Sequence, residues 1–179
     1  MSIMNSNLVI TALGKDRPGI VTELSEAILE KGCSIAASRM SVLGGEFALI
    51  LMINGSARAI TAMEQARQTL EQQLDLTIIS RATTAHQTLH SLVPYQIEVI
   101  AIDHPGIVHH VTQFFADKQI NIEEMNTDSY SAPLTGTPMF SLTLIVGLTQ
   151  ETAINPLREQ FFDFCDDLNL DVTFNTLQG

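Results

Sequence analysis

Two short segments carry residues whose types and spacing suit the binding of a small anion. One is Asp-Arg-Pro-Gly-Ile at residues 16–20, and the other is Asp-His-Pro-Gly-Ile at residues 103–107. Each follows an apolar stretch and leads into an amphipathic one, which places it just before a helix. The first amides of a helix have no partner within it, and the helix dipole adds positive charge there, so such a turn suits a carboxylate. Gly19 and Gly106 would let a ligand approach the main chain closely.

Other chemistries fit the residues less well. A phosphate-binding loop needs lysine directly after its last glycine, where this chain has Ile20. His109 and His110 are neighbours and point about 100° apart on a helix, whereas metal-ligand pairs favour a spacing of four residues. No serine hydrolase, zinc protease or paired glycine-rich signature is present. The patterns therefore predict a protein that is not an enzyme and has neither a metal nor a cofactor.

Charge and composition narrow the class of partner. Residues 1–89 hold 7 basic and 8 acidic side chains, net −1, whereas residues 90–179 hold 2 and 12, net −10. This balance argues against direct nucleic-acid binding, and the acidic second half suits either a basic partner or simple solubility. No apolar stretch approaches the roughly 20 residues of a membrane span, and the first residues do not read as a signal peptide, which predicts a soluble cytoplasmic protein. Cys33 and Cys165 are predicted to be reduced core thiols.

The two candidate segments belong to an internal repeat. A shift of 87 residues lays Leu8–Val21 over Tyr95–Val108, with the aspartate, proline and glycine of each segment matched. Farther on, residues 46–53 match residues 139–146 at a shift of 93, so the second copy has six extra residues, which we place in 131–138. Each half of the chain is thus one complete unit.

The hydrophobic periodicity reads β-α-β-β-α-β in each copy, the order of a ferredoxin-like α+β unit. We predict two tandem βαββαβ domains at 1–84 and 94–179, joined by a linker at 85–93. Each is predicted to be an antiparallel four-stranded sheet in strand order 4-1-3-2, with two helices on one face. Asp16 is expected to cap the first helix, with Pro18 in its first turn. Because the central strands of the first sheet are apolar on both faces, its other face is expected to pack against the second unit or another subunit.

An apolar strand followed by Asp-x-Pro-Gly-Ile-Val, in a βαββαβ unit of this length, resembles the ACT domain, a regulatory module that commonly binds amino acids. The tandem pair, with "LVITALGKDRPGIV" and then "LGGEFALILMINGS" in its first half, is similar to the glycine cleavage system transcriptional repressor family. That resemblance implies an accessory repressor that acts on a DNA-binding transcriptional activator rather than on DNA, with glycine first among the candidate ligands. The uncovered face of the first sheet leaves a homo-oligomer open as a further assembly.

The same resemblance implies a ligand that lies between two units, touched by the turn of one and by the start of the second strand of the other. An asparagine often stands before that strand, as Asn121 does here, whereas the first copy has Ser34. It is open whether one site or two exist. The implied ligand-binding residues are Asp16, Arg17, Pro18, Gly19, Ile20, Ser34, Asp103, His104, Pro105, Gly106, Ile107 and Asn121.

Two other functions are compatible with some of the same sequence features. A generic tandem ACT sensor would bind an amino acid in the same way but regulate a metabolic enzyme. Formyltetrahydrofolate hydrolases also begin with an ACT-like unit, but a catalytic domain follows it, whereas a second ACT-like unit follows here. The sequence thus favours regulation over catalysis.

Overall fold

The computed structural model describes residues 6–83 and 92–177, which form two compact units with the same order of elements. The elements of the first unit are β1 (Ser6–Lys15), α1 (Ile20–Glu30), β2 (Ser34–Leu43), β3 (Glu46–Gly55), α2 (Ala57–Leu74) and β4 (Leu76–Thr83). Those of the second unit are β5 (Val93–Ile102), α3 (Ile107–Asp117), β6 (Ile122–Ser131), β7 (Pro138–Leu148), α4 (Ile154–Asp167) and β8 (Asp171–Thr176). Residues 85–91 of the expected linker (85–93) lie outside the described part, and its last residue, Val93, begins β5.

Each unit has one antiparallel sheet of four strands. The orders are β2-β3-β1-β4 and β6-β7-β5-β8, so the first and third strands are central in both units. The predicted ferredoxin-like fold and strand order are confirmed. Central position suits the first and third strands because they are the most apolar and make main-chain hydrogen bonds on both sides.

Alternation along the strands decides which side chains enter the core. On β1, Leu8, Ile10 and Ala12 are buried, whereas Thr11 and Leu13 between and beyond them are exposed. This period of two sends every second side chain to the face that the helices cover. Helices α1 and α2 supply their apolar faces to that core, and the second unit repeats the arrangement with α3 and α4.

Gly44 and Gly45 stand between two strand-forming stretches, which predicts a hairpin, and the hairpin between β2 and β3 turns at these two residues. Both have positive φ values, 61° and 85°, which is the geometry that a two-residue hairpin turn requires. The corresponding connection between β6 and β7 has six residues, 132–137, and is closed by a hydrogen bond from the Ala132 amide to the Thr137 carbonyl. The longer connection lies where the extra residues of the second copy were predicted.

The predicted start of the first helix is wrong. Helix α1 begins at Ile20, so Pro18 lies before its first turn, and no side chain caps it. Its N-cap residue is Gly19, in the left-handed conformation, and a glycine has no side chain with which to accept from a first-turn amide. Ser56 at the start of α2 shows the contrast, because its hydroxyl accepts from the Ala59 amide at 3.2 Å.

The burial of two kinds of residue can be compared with the sequence predictions, namely the inner face of α1 and the two cysteines. Helical periodicity predicts Val21 on the inner face of α1, but its side chain is 44% exposed, and Ala27 is buried in its place. Cys33 and Cys165 are both free and buried, as expected of core thiols, and burial raises the pKa of Cys165 to about 12.

No helix among the described residues is long and apolar enough to cross a membrane.

The core of the second unit is built around phenylalanine. The Phe161 ring is fully buried, and its centroid lies 4.9 Å from that of Phe114, 5.0 Å from that of Phe115 and 6.0 Å from that of Phe174. Phe174 also contacts the Tyr95 ring, at a centroid distance of 5.7 Å. In the first unit Phe47 is the only phenylalanine, and aliphatic side chains fill the rest of the core.

Phe161→Ala is therefore expected to lower the free energy of unfolding of the second unit by about 3–5 kcal/mol, because it removes a ring and leaves a cavity among the other rings. Denaturant unfolding followed by circular dichroism would measure the change. Leu134→Ala is the matched control, since Leu134 is 99% exposed in the same unit and should change the free energy by less than about 0.5 kcal/mol. Equal losses in the two variants would contradict this description of the core.

Candidate functional site

Each candidate turn is tied to the hairpin of its own unit. The Asp16 amide donates to the Gly45 carbonyl at 3.1 Å, and the Asp103 amide donates to the Pro138 carbonyl at 2.9 Å. The turn between the first strand and the first helix is therefore held beside the connection between the second and third strands. This support fixes the position of the glycine that follows.

The two glycines share one backbone conformation. Gly19 has φ 89° and Gly106 has φ 101°, values that a residue with a side chain rarely adopts, and each is the residue before the first helical position. Both glycines are exposed. The next residues, Ile20 and Ile107, are each only 2% exposed, so their side chains belong to the core and only their main chain can meet a ligand.

In the first unit a bidentate ion pair lies across the turn. The Arg17 guanidinium donates from Nη1 and Nη2 to Oε1 and Oε2 of Glu23, at 2.6 and 2.7 Å. A Cβ atom placed on Gly19 would lie 3.5 Å from Oε1 of Glu23, so this carboxylate is next to the glycine. The hydrogen bond from Arg17 holds the pKa of Glu23 below its usual value, and the same bond raises the pKa of Arg17. Since the two side chains are 40% and 43% exposed, the pair lies at the surface.

In the second unit histidines take both of these positions. His104 and His110 stand 87 residues after Arg17 and Glu23, the shift that relates the two copies. The His110 ring packs over the turn, since a Cβ atom on Gly106 would lie 3.2 Å from its Cε1 atom. The Nδ1 atom of His104 lies 3.1 Å from the Pro105 carbonyl oxygen. The second turn thus has imidazoles, which can donate hydrogen bonds and carry positive charge, where the first has an internal ion pair.

Ser34 and Asn121 are exposed, but neither lies near the turn of its own unit. Gly14, at the end of β1, pairs with Phe47, whereas Ser34 pairs with Asn54 seven residues farther along β3. At about 3.4 Å per residue, the two ends of the sheet are roughly 24 Å apart. The second sheet has the same register, with Ile102 opposite Met139 and Ile122 opposite Val146. A site with both a turn and the start of a second strand therefore cannot come from one unit.

In each unit the predicted turn residues therefore lie together, whereas Ser34 or Asn121 of the same unit lies at the opposite end of the sheet. The structure also adds Glu23, which the sequence did not single out, and His110, which was weighed only as a metal ligand. The 87-residue shift was the available signal, because it aligns these two residues one helical turn after the glycine. Among the described residues, no three histidine, cysteine, aspartate or glutamate side chains are close enough to hold a metal ion.

Comparison with known proteins agrees with this fold. Residues 6–80 match the ACT domain family. The chain is 29% identical over 170 residues to the glycine cleavage system transcriptional repressor of Escherichia coli (strain K12), which covers 95% of this chain and 90% of that protein. A crystal structure assigned as a glycine cleavage system transcriptional repressor is 30% identical, with a TM-score of 0.75, and covers 98% of this chain and 99% of its own.

A second solved structure shares the fold at lower identity. It is an unknown protein from Galdieria sulphuraria, 24% identical with a TM-score of 0.77, and it covers 97% of this chain and 99% of its own. Both structures match along nearly the whole chain, so the tandem arrangement of two βαββαβ units is common to all three.

Arg17→Ala is expected to raise the pKa of Glu23 toward the usual glutamate value, because the hydrogen bond from Arg17 is the largest cause of its lowering. A pH titration followed by NMR of the Glu23 side-chain carboxyl would measure it. Arg58→Ala, at an exposed position at the start of α2, removes the same charge without this bond and should leave the titration unchanged. An unchanged pKa in Arg17→Ala would contradict the ion pair.

Proposed function

Since this chain belongs to the tandem ACT-domain family of the glycine cleavage system transcriptional repressors, we propose that it is a cytoplasmic regulatory protein that binds a small amino acid. In this proposal glycine is the first candidate ligand, and the protein represses transcription through a DNA-binding partner. The proposal has a ligand half, amino-acid binding, and an output half, repression through a partner. The ligand half rests on the exposed turn of each unit, in which a left-handed glycine precedes a helix with no side-chain cap. The relatives named above support the regulatory half.

The physical case for an amino acid rests on its carboxylate. First-turn amides are donors without partners inside the helix, and the dipole of α1 or α3 favours negative charge at that end. An N-cap side chain would compete for these amides, but neither Gly19 nor Gly106 has one. A ligand carboxylate can therefore accept from the main chain at the place where a serine or aspartate cap would otherwise bind.

The two turns are not equivalent, and in this proposal the second is the stronger site. Glu23 already places a carboxylate beside Gly19, and Arg17 holds it there through two hydrogen bonds. A ligand carboxylate at the first turn would have to displace or repel it. At the second turn His110 lies over Gly106 instead, and an imidazole can donate to a carboxylate.

The ammonium group of the ligand needs an acceptor, and in this proposal another unit supplies it. Asn121 and Ser34 are exposed at the starts of β6 and β2, and each side chain has an oxygen that can accept from an ammonium group. Because each lies at the far end of its own sheet from the turn, the complete site combines the turn of one unit with the second strand of another. Asp16, Arg17 and Pro18, and their counterparts Asp103, His104 and Pro105, line the turn side of that site.

The output half of the proposal relies on charge. The net charge of −11 opposes binding to a phosphate backbone, so repression has to pass through another protein. A DNA-binding activator presents basic surface, and the acidic second half of this chain suits such a partner. No catalytic step, metal or cofactor is part of this function.

Titration calorimetry with glycine, alanine and serine tests the ligand half. We expect saturable heat for at least one of them, and Gly106→Ala should weaken its binding by about tenfold or more, because a Cβ atom would meet the His110 ring and strain the backbone. Gly19→Ala should weaken it less, since Glu23 already occupies the first turn.

Gly136→Ala is the matched control for this titration. Gly136 also has a positive φ, 68°, but nothing lies within 4 Å of an added Cβ atom, so this variant has the backbone strain without a change at the turn. It should bind as the wild type does. If no amino acid produces heat above dilution, or if Gly106→Ala and Gly136→Ala bind equally well, the ligand half is wrong.

A gel-shift assay with DNA from the control region of the glycine cleavage genes tests the output half. Because of its acidic charge, the chain alone should not retard the DNA, and adding it to the DNA-bound activator should change the activator's complex. Tight and specific binding by the chain alone would contradict the proposal. Amino-acid binding without any effect on the activator would favour a sensor that regulates an enzyme.

A further inference from the structure

The first sheet has a face that α1 and α2 do not cover, which we call the uncovered face. Large apolar side chains are exposed on it, since Leu13 is 48%, Ile50 is 49% and Ile79 is 65% exposed. An exposed apolar sheet face of this kind is typical of an interaction surface. The question is which surface packs against it.

Five rows of side chains cross the uncovered face, from Lys15 at one end of β1 to Asn7 at the other. Lys15 is directly opposite Glu46 on the neighbouring strand β3. Two arginines lie on the edge strands, Arg39 on β2 and Arg81 on β4. These four are the charged residues that the register places on this face, and the centre between them is apolar.

The equivalent face of the second sheet is a poor match for this apolar centre. The middle row of the uncovered face has Ile50 and Ile79, whereas the same row of the second sheet has Thr143 and Thr173, with Glu98 between them. Burying a carboxylate against apolar side chains would cost the free energy of its hydration. A second uncovered face is therefore the better partner.

We propose that the uncovered face of one copy of this chain packs against the uncovered face of a second copy, about a two-fold axis that runs parallel to β1 and β3 and between them. Such an axis exchanges the two central strands and keeps every row at its own level. Each residue of β1 then faces its register partner on β3 of the other copy. Aligned packing of this kind is one of the two usual ways in which sheets stack.

The sizes of the facing side chains are complementary in this arrangement. Leu13 of one copy faces Ala48 of the other, and Ile50 faces Thr11. A large side chain thus meets a small one at both levels of the apolar centre, as interdigitating cores require.

The charges are complementary as well. Lys15 of each copy faces Glu46 of the other, so the axis generates two ion pairs at one end of the contact. Neither side chain makes an ion pair within the described part of its own chain. At the edges, Arg39 faces Ile79 and Arg81 faces Ala37, so no two basic residues are opposed.

A two-fold axis across the strands fits less well. It would reverse the order of the rows, so that Lys15 faced Asn7 of the other copy and no unlike charges met. It would also place Arg39 opposite Arg39, because this residue is in the middle row. Like charges that face each other oppose association, which favours the axis along the strands.

The area is sufficient for a specific contact. Four strands about 4.8 Å apart and five rows about 6.8 Å apart make each face roughly 650 Å². Two faces bury about 1,300 Å², which is within the range of specific protein interfaces. Only the first unit of each copy takes part, so the contact requires no particular position of the second units.

Sedimentation velocity over a range of protein concentrations tests this proposal without reference to any ligand. We expect a dimer, and Ile50→Lys should raise its dissociation constant by about tenfold or more, because it puts a charge into the centre of the contact. Leu29→Lys is the matched control, since Leu29 is 72% exposed on α1, away from the uncovered face, and should leave the constant unchanged. Circular dichroism would verify that both variants are folded.

Mixing two further variants tests the predicted axis. Lys15→Glu and Glu46→Lys should each dimerise more weakly than the wild type, because each puts like charges opposite one another. In a mixture of the two, both pairs join unlike charges again, and a heterodimer should form. Repulsion between residues 15 and 46 within one chain is the same before and after mixing, so the recovery reports only the contact between copies.

Three results would overturn the proposal. One is a wild type that stays monomeric at every soluble concentration, and if Ile50→Lys also made that monomer easier to unfold, the second unit of the same chain would be the occupant of the uncovered face. Another is a dimer that Ile50→Lys weakens no more than Leu29→Lys does. The third is a mixture of Lys15→Glu and Glu46→Lys that associates no better than either variant alone.

Discussion

A glycine in the left-handed conformation, directly before the first helix of each unit, is the constraint on which the structure depends. With φ 89° at Gly19 and 101° at Gly106, a four-residue turn leads from a central strand into a helix that covers one face of the sheet. The buried isoleucine that follows each glycine anchors that helix in the core. The same turn leaves the start of each helix without a side-chain cap, so the feature that builds the fold also creates the candidate ligand-binding surface.

Much of this arrangement could be predicted from the sequence because it depends on periodicity. The repeat, the strand order, the two-glycine hairpin and helix α2 follow from patterns that extend over many residues, and errors at single positions do not change them. The start of α1 was predicted wrongly because Asp16 and Pro18 are good residues for a helix start in general. In this fold the Asp16 amide is bound to the hairpin, which leaves the capping position to Gly19.

Sequence periodicity could not predict which side chains meet at the turns. Arg17 and Glu23 are six residues apart and meet only because the glycine turn folds the loop back over the first helical turn. Nothing in residue type or spacing distinguishes this pair from other exposed charges. The two copies also diverged at these positions, to arginine and glutamate in one and two histidines in the other, so one duplicated turn has acquired two electrostatic characters.

The aromatic core of the second unit has a spectroscopic consequence. The chain has no tryptophan, and its two tyrosines, Tyr95 and Tyr130, both lie in the second unit, as do seven of the eight phenylalanines. Tyr95 packs on the Phe174 ring beside Phe161. Tyrosine emission therefore reports on the second unit alone, because the first unit has neither tyrosine nor tryptophan. The second unit of this duplicated protein can thus be followed by itself without any added label.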